Sequence, residues 1–206
     1  ILGNKKIRGN LSNTELKIVA YHEAGHALLQ YMLKYTPTVS RVSIEPRVKS
    51  ALGYSQSEPD EKNLSNKQEI IHEISILLGG RIVEEIISNN LITTGAYDDL
   101  QKVNKHITKY IQIFGFDKSF GEYVILKNDN FLKKENCSDK MKYIIEKKCK
   151  KLIKIIKRKT KKIIIEHFDI IKKIANLLIK NKNIYTNDLN KIIGVDNKNN
   201  IIININ

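Results

Sequence analysis

Residues 20–30 read AYHEAGHALLQ, with His22 and His26 four positions apart and Glu23 directly after the first histidine. Around this stretch Leu16, Val19, Ala20, Ala24, Ala27, Leu28 and Tyr31 recur mostly at three and four, the period of a helix, and Thr36-Pro37 ends the pattern. Ser12 can cap the helix while Glu15, three residues on, returns the bond, and Leu11 can staple against Leu16, so the helix should begin near residue 13. Imidazoles at i and i+4 share a helix face and can converge on one ion at about 2.0–2.1 Å. A glutamate beside the first histidine points near the ion without binding it, where it can take a proton from coordinated water, so Glu23 is the candidate base. Ala24 and Gly25 are small, and a glycine here lets substrate or a second backbone come close.

HExxH also arises in helices that bind nothing, so the rest of the chain has to supply the third ligand of a catalytic zinc. His26 is followed by ALLQYM, which lacks the GxxH that would place a third histidine just downstream. The carboxylates in credible positions are Glu84, Glu85, Asp98 and Asp99. His72, His106 and His167 are rival donors, but each is isolated on a helical pattern with no partner at metal spacing, and they read as structural or surface residues.

The remaining chain reads as mainly α. VSRVSIEP and ALGYSQ, between Val39 and Gln56, form β-prone runs that suggest a small hairpin or a pair of edge strands. Ser65 and Gln68 repeat the capping-box spacing before Ile70, Ile71, Ile74, Leu77, Leu78, Ile82 and Ile86, a second helix running to about Ser88. Gly79-Gly80 inside it costs about 1 kcal/mol per residue relative to alanine, which implies close approach of another backbone. TTGAYDDL turns into a third helix closed by Gly115; two long helices with a break at 167–169, a short helix after Thr186 and a frayed Asn-rich tail complete the chain.

With 206 residues, 41% of them hydrophobic, the chain can bury the core of one good-sized domain or two small ones. Its longest apolar runs, such as ISILLGG at 74–80, fall far short of the roughly 18–20 residues that span a bilayer. ILGNKKIRGN has neither an initiator methionine nor a secretory signal pattern, so the chain is expected to start within a longer polypeptide. Cys137 and Cys149 fit neither a CxxC knuckle nor a disulfide framework and point to reduced thiols in an intracellular compartment. The formal net charge of +14 is concentrated between Lys140 and Lys162, where lysines alternate with Ile and Leu as on the solvated face of a helix. That pattern favours a solvated face over a nucleic-acid partner, and the absence of GxxxxGK[ST] and GxGxxG leaves no nucleotide site in these residues.

AYHEAGHAL, ALGYSQ, LLGGRIVEE, TTGAYDDLQKV and FGFDKSFG follow one another in an order and at separations that resemble the protease domain of the FtsH family, membrane-anchored ATP-dependent zinc metalloproteases. The resemblance covers about residues 12–193, leaving 1–11 as a leading segment from a longer chain and 194–206 as a disordered tail. It implies a helical zinc metallopeptidase domain with a small β element, and it selects Asp99 as the third zinc ligand. Glu84 matches the glutamate near the zinc histidines and is assigned to orienting an imidazole. Zinc on His22, His26 and Asp99 would activate water, and Glu23 would take its proton and pass it to the leaving nitrogen. Substrate is expected as an extended strand along an edge formed by Val42–Ile44 or Leu52–Tyr54. The family further implies a homo-hexamer, unfolded or membrane polypeptides as substrates, and an ATPase module in the same longer chain. Membrane attachment would run through segments outside these residues, in a bacterial inner membrane or a mitochondrial or plastid-type organelle membrane. Ile82 and Val83 depart from the family by standing where small residues are common. Two rival readings stand beside this one: a catalytically silent member of the same ring assembly, and a helical nucleic-acid-binding module using Lys140–Lys162.

Overall fold

Ser12 caps the first helix, α1 (Asn13–Met32): its side chain accepts from the Glu15 backbone N–H at 3.2 Å, and Glu15 Oε2 accepts from the Ser12 N–H at 2.9 Å. The structure, a computed structural model, describes residues 12–45, 53–57, 64–88, 92–121 and 138–205. Leu11, Leu52, Cys137 and the leading segment 1–11 lie outside the described residues. From Val19 to Met32 every residue of α1 is buried, because α2 (Lys67–Ile87), α5 (Phe168–Asn181) and the sheet all pack against it. A one-faced helix at its start thus becomes the central rod of the fold. His22, Glu23, His26 and Gln30 are carried inside on it, where each polar group needs a partner.

The capping box of α2 is displaced by one residue from the expected Ser65 and Gln68. Asn66 Oδ1 accepts from the N–H groups of Gln68 and Glu69 at 2.8 and 3.0 Å, and Glu69 returns the bond to the Asn66 N–H at 2.9 Å. A 3₁₀ turn at Thr94–Ala96 leads into α3 (Tyr97–Gln112), and Gly115 follows with φ 63°. α4 (Asp139–Glu166) and α5 meet at His167, and α6 (Thr186–Ile193) follows the last strand.

The β element is a three-stranded antiparallel sheet in the order β2 (Tyr54–Ser57), β1 (Val39–Ser43), β3 (Asn183–Tyr185). The third strand, only NIY, is too short for an alternating pattern to show. Lys182, in the left-handed region at φ 63°, ends α5 and turns the chain into it. The consequence is a correction: β1 is paired on both sides and Ile44 N–H also donates to the Lys182 carbonyl, so Val42–Ile44 offers no edge. Among the described residues the outer strand near α1 is β2, which contains Tyr54.

Residues 194–205, expected as a frayed tail, lie against the body of the fold. Asn199 N–H donates to the Tyr31 carbonyl, Asn200 and Ile201 to that of Met32, and Lys34 N–H to that of Ile201. Buried His72 accepts from the Ile203 N–H at 3.1 Å, and Ile203 itself is buried. The Asn-rich composition conceals this docking, because backbone groups do much of it. Ile203→Ala should lower stability by about 2 kcal/mol in urea unfolding; no shift of the midpoint would show that the tail is not held in solution.

The architecture is mainly α, six helices among the described residues with one small sheet. Among them, no helix is long and apolar enough to cross a membrane. On α4, Lys148, Lys150 and Lys157 pair with Asp117, Glu146 and Glu85, so part of the basic stretch is neutralised within the chain.

Candidate metal centre

The i, i+4 spacing on α1 puts both imidazoles on the side that faces α2, and their Nε2 atoms are 2.9 Å apart. Asp99, in the first turn of α3, brings Oδ2 to 3.2 Å from His22 Nε2 and 3.3 Å from His26 Nε2. Ligand atoms about 2.0–2.1 Å from a tetrahedral ion are separated by about 3.3–3.4 Å, so this triangle has nearly the size of one tetrahedral face.

The other ring nitrogens fix the tautomers. His22 Nδ1 lies 2.7 Å from Glu84 Oε1 and His26 Nδ1 lies 2.7 Å from the Ile76 carbonyl oxygen. Both partners only accept, so both Nδ1 atoms carry hydrogen and a neutral ring presents its Nε2 lone pair to the centre. Two lone pairs and a carboxylate oxygen facing one another form a donor set that calls for a cation, and an N₂O set with imidazole suits zinc. The electrostatics agree. Burial pulls the His22 pKa down, but Asp99 and Glu84 more than reverse this and the ring is pushed up to about 9. Burial disfavours the Asp99 charge as well, yet the contacts with His22 and His26 hold its carboxyl well below the usual range. The pocket is built for positive charge.

Glu84 performs a second task. Its Oε2 accepts from the Thr93 N–H at 3.2 Å and from the Thr93 hydroxyl at 3.1 Å, while Oε1 holds His22. Burial works against the Glu84 charge, but these bonds and the His22 contact hold its pKa below normal. One carboxylate therefore ties His22 on α1 to the loop that delivers Asp99. Thr93 is not among the residues that the sequence pattern singles out, although its place two residues before Gly95 is the ordinary signature of a side-chain-capped turn.

The two glycines of α2 split the role expected of them. Gly79 packs against α1, where a Cβ would lie 2.6 Å from Leu29 Cδ1 and 3.1 Å from the Gly25 backbone carbonyl oxygen. Gly80 instead makes room for the His22 ring, whose Nε2 and Cε1 would be 2.4 Å from a Cβ. Alanine at 80 is the better helix former by about 1 kcal/mol, yet it cannot coexist with His22 in this position. Gly80→Ala should therefore keep or raise helicity while weakening zinc affinity at least tenfold by titration against a chelator; unchanged affinity would mean that the ring moves aside without loss.

Glu23 is 5% exposed, and Gly53 lies so close over it that a Cβ would come within 2.6 Å of Glu23 Cγ and Oε1. Burial pushes its carboxyl up, opposed by the positive character of His26 and His22. An open cleft of about 940 Å³ lies over these residues, lined by α1 from Glu15 to Gln30, by β2 and by the start of α3.

The other candidates are elsewhere. Glu85 Oε1 is 2.6 Å from Lys157 Nζ, and Asp98 is exposed on the cleft rim. His72 is buried under the tail, His106 Nδ1 is 3.1 Å from Glu73, and His167 Nδ1 donates to the Ile163 carbonyl at 2.9 Å. Among the described residues, His22, His26 and Asp99 are the group brought together at metal-binding distance.

Comparison with known proteins places the chain in a family of zinc proteases. The pattern of peptidase family M41 matches residues 10–192. An ATP-dependent zinc metalloprotease FtsH of Clostridium perfringens is 35% identical over 198 residues, covering 94% of this chain and 28% of that protein. A mitochondrial ATP-dependent zinc metalloprotease of Oryza sativa subsp. japonica, FTSH 8, is 31% identical over 193 residues, 93% of this chain and 23% of its own length. A mitochondrial inner membrane m-AAA protease component of Saccharomyces cerevisiae is 31% identical over 195 residues, 94% of this chain and 26% of its own. The chain thus spans about a quarter of the length of these curated relatives.

Proposed function

The chain belongs to peptidase family M41, and from that premise we propose that it is the zinc endopeptidase module of an ATP-dependent protease, hydrolysing peptide bonds with Glu23 as the base. The observation that carries this reading is the convergence of His22 Nε2, His26 Nε2 and Asp99 Oδ2 with both Nδ1 atoms already committed to acceptors. His22, His26 and Asp99 hold the metal, and Glu84 orients His22. When bound, zinc supplies a Lewis acid that acidifies water and polarises the scissile carbonyl.

Glu23 follows His22 in sequence and is buried under Gly53, so its carboxylate is held at the cleft beside the ligands without being one of them. There it takes a proton from the attacking water and passes it to the nitrogen of the departing amine, which leaves the glutamate ready for another cycle. Substrate aligns along the outer edge of β2, where main-chain pairing selects an extended backbone rather than particular side chains. Broad cleavage of unfolded polypeptides follows. In the wider setting of this proposal, an ATPase in the same longer chain feeds unfolded or membrane proteins to the module in a homo-hexameric ring, anchored in a bacterial inner membrane or an organelle membrane. The relatives support it by name, two as ATP-dependent zinc metalloproteases and one as a component of a mitochondrial inner membrane protease. We assign anchor and ATPase to the three quarters of the relatives that this chain does not span.

Metal analysis combined with proteolysis tests the proposal. About one zinc per chain is expected, with chelator-sensitive cleavage of a casein-type unfolded substrate that needs no ATP and leaves stably folded proteins largely intact. A zinc-free chain that cleaves at the same rate would overturn it.

A further inference from the structure

The face of α1 that carries His22 and His26 continues, one turn on, to Gln30. This side chain is 6% exposed and takes no part in the metal cluster. Its Nε2 donates to the Pro37 carbonyl at 3.1 Å and to the Ser57 hydroxyl, while its Oε1 accepts from the Ser55 hydroxyl at 3.3 Å. One buried amide therefore uses both donor and acceptor to hold two residues of β2 and the start of the chain leading to β1.

Alternation along a strand turns every second residue to one side, and β2 follows it. Gly53 lies on Glu23, and Ser55 and Ser57 lie on Gln30. The strand is thus hung on α1 at two levels, by contact at the base and by hydrogen bonds beyond the second histidine. It needs the support. β2 has four residues, its ladder partner is β1, and the register slips between Val39 and Arg41, opposite the Ser57 end. A bulge disrupts pairing locally, and the Gln30 bond to Ser57 is made at that end.

We infer that Gln30 is a positioning residue for substrate: it fixes the outer strand β2 against the metal-bearing helix, so that a peptide paired along that strand presents its scissile bond to Glu23. The inference rests on the peptidase reading above. Gln30 acts through β2 and touches no reacting atom. Its loss should cost alignment of the peptide and leave the proton transfer at Glu23 intact.

The test is steady-state hydrolysis of a flexible fluorogenic peptide by the zinc-loaded protein. Because the amide's bonds to β2 are lost together, Gln30→Leu should raise KM about tenfold with kcat changed less than about threefold and zinc content unchanged. Ser55→Ala with Ser57→Ala, which leaves the helix core untouched, should give the same rise, and adding Gln30→Leu to that pair should add little. Should Gln30→Leu fail to fold, the serine pair decides. An unchanged KM in variants that retain zinc overturns the role of Gln30, as does a loss that falls on kcat in proportion to lost zinc. A wild-type protein whose hydrolysis is indifferent to Glu23→Gln fails earlier, and then the peptidase reading falls and this inference with it.

Discussion

Glu23→Gln is expected to retain one zinc per chain and the wild-type fold while losing about 10²- to 10⁴-fold in peptide hydrolysis, the usual contribution of a general acid–base group. The amide has nearly the shape of the carboxylate and fits under Gly53, but it cannot accept the proton of the attacking water. His22, His26 and Asp99 are unaltered, so metal content should not change. Stability should hold or rise, because burial makes the ionised Glu23 carboxyl unfavourable and a neutral amide avoids that cost. Zinc quantification, a thermal melt and a peptide assay on one preparation check all three statements. Hydrolysis retained at the wild-type rate would remove Glu23 from the mechanism.

The second large effect separates two adjacent aspartates. Successive helical residues point about 100° apart. Asp99 accordingly reaches the histidines, while Asp98 is exposed on the rim. Asp99→Asn should weaken zinc binding sharply and abolish proteolysis, since it removes the one charged ligand and leaves two neutral imidazoles. Asp98→Asn should keep the metal and change stability by about 1 kcal/mol or less, as befits a first-turn acid near a helix N-terminus. Zinc titrations of both variants decide the assignment: the reverse pattern would make Asp98 the ligand, and zinc retained in both would remove the aspartate pair from the ligand set.

The contrast between these neighbours shows where legibility stops. His22, Glu23 and His26 announce themselves because their relation is set by one helix, and helical geometry is local. The cap of α1, the break at His167 and the short helix at Thr186 are legible for the same reason. Residue types also make Glu84, Glu85, Asp98 and Asp99 candidates, but type and spacing cannot rank carboxylates that lie far along the chain from the histidines. Resemblance to a family ranks them.

The pattern of residues along the chain determined, by itself, a mainly helical protein with an HExxH face on its first helix and small residues in the middle of its second. Tertiary structure decided the rest. It decided that α1 is enclosed rather than surface-lying, that Gly80 gives way to an imidazole while Gly79 meets a backbone, and that among the described residues β1 lies between two strands while β2 stands outside. It also decided that Glu84 and Thr93 link His22 to the loop bearing Asp99, and that Gln30 holds a strand. Each of these contacts joins segments separated along the chain. Local propensity acts over a few residues, whereas the packing that brings such segments together is settled by how the whole set of apolar faces and buried polar groups can be satisfied at once.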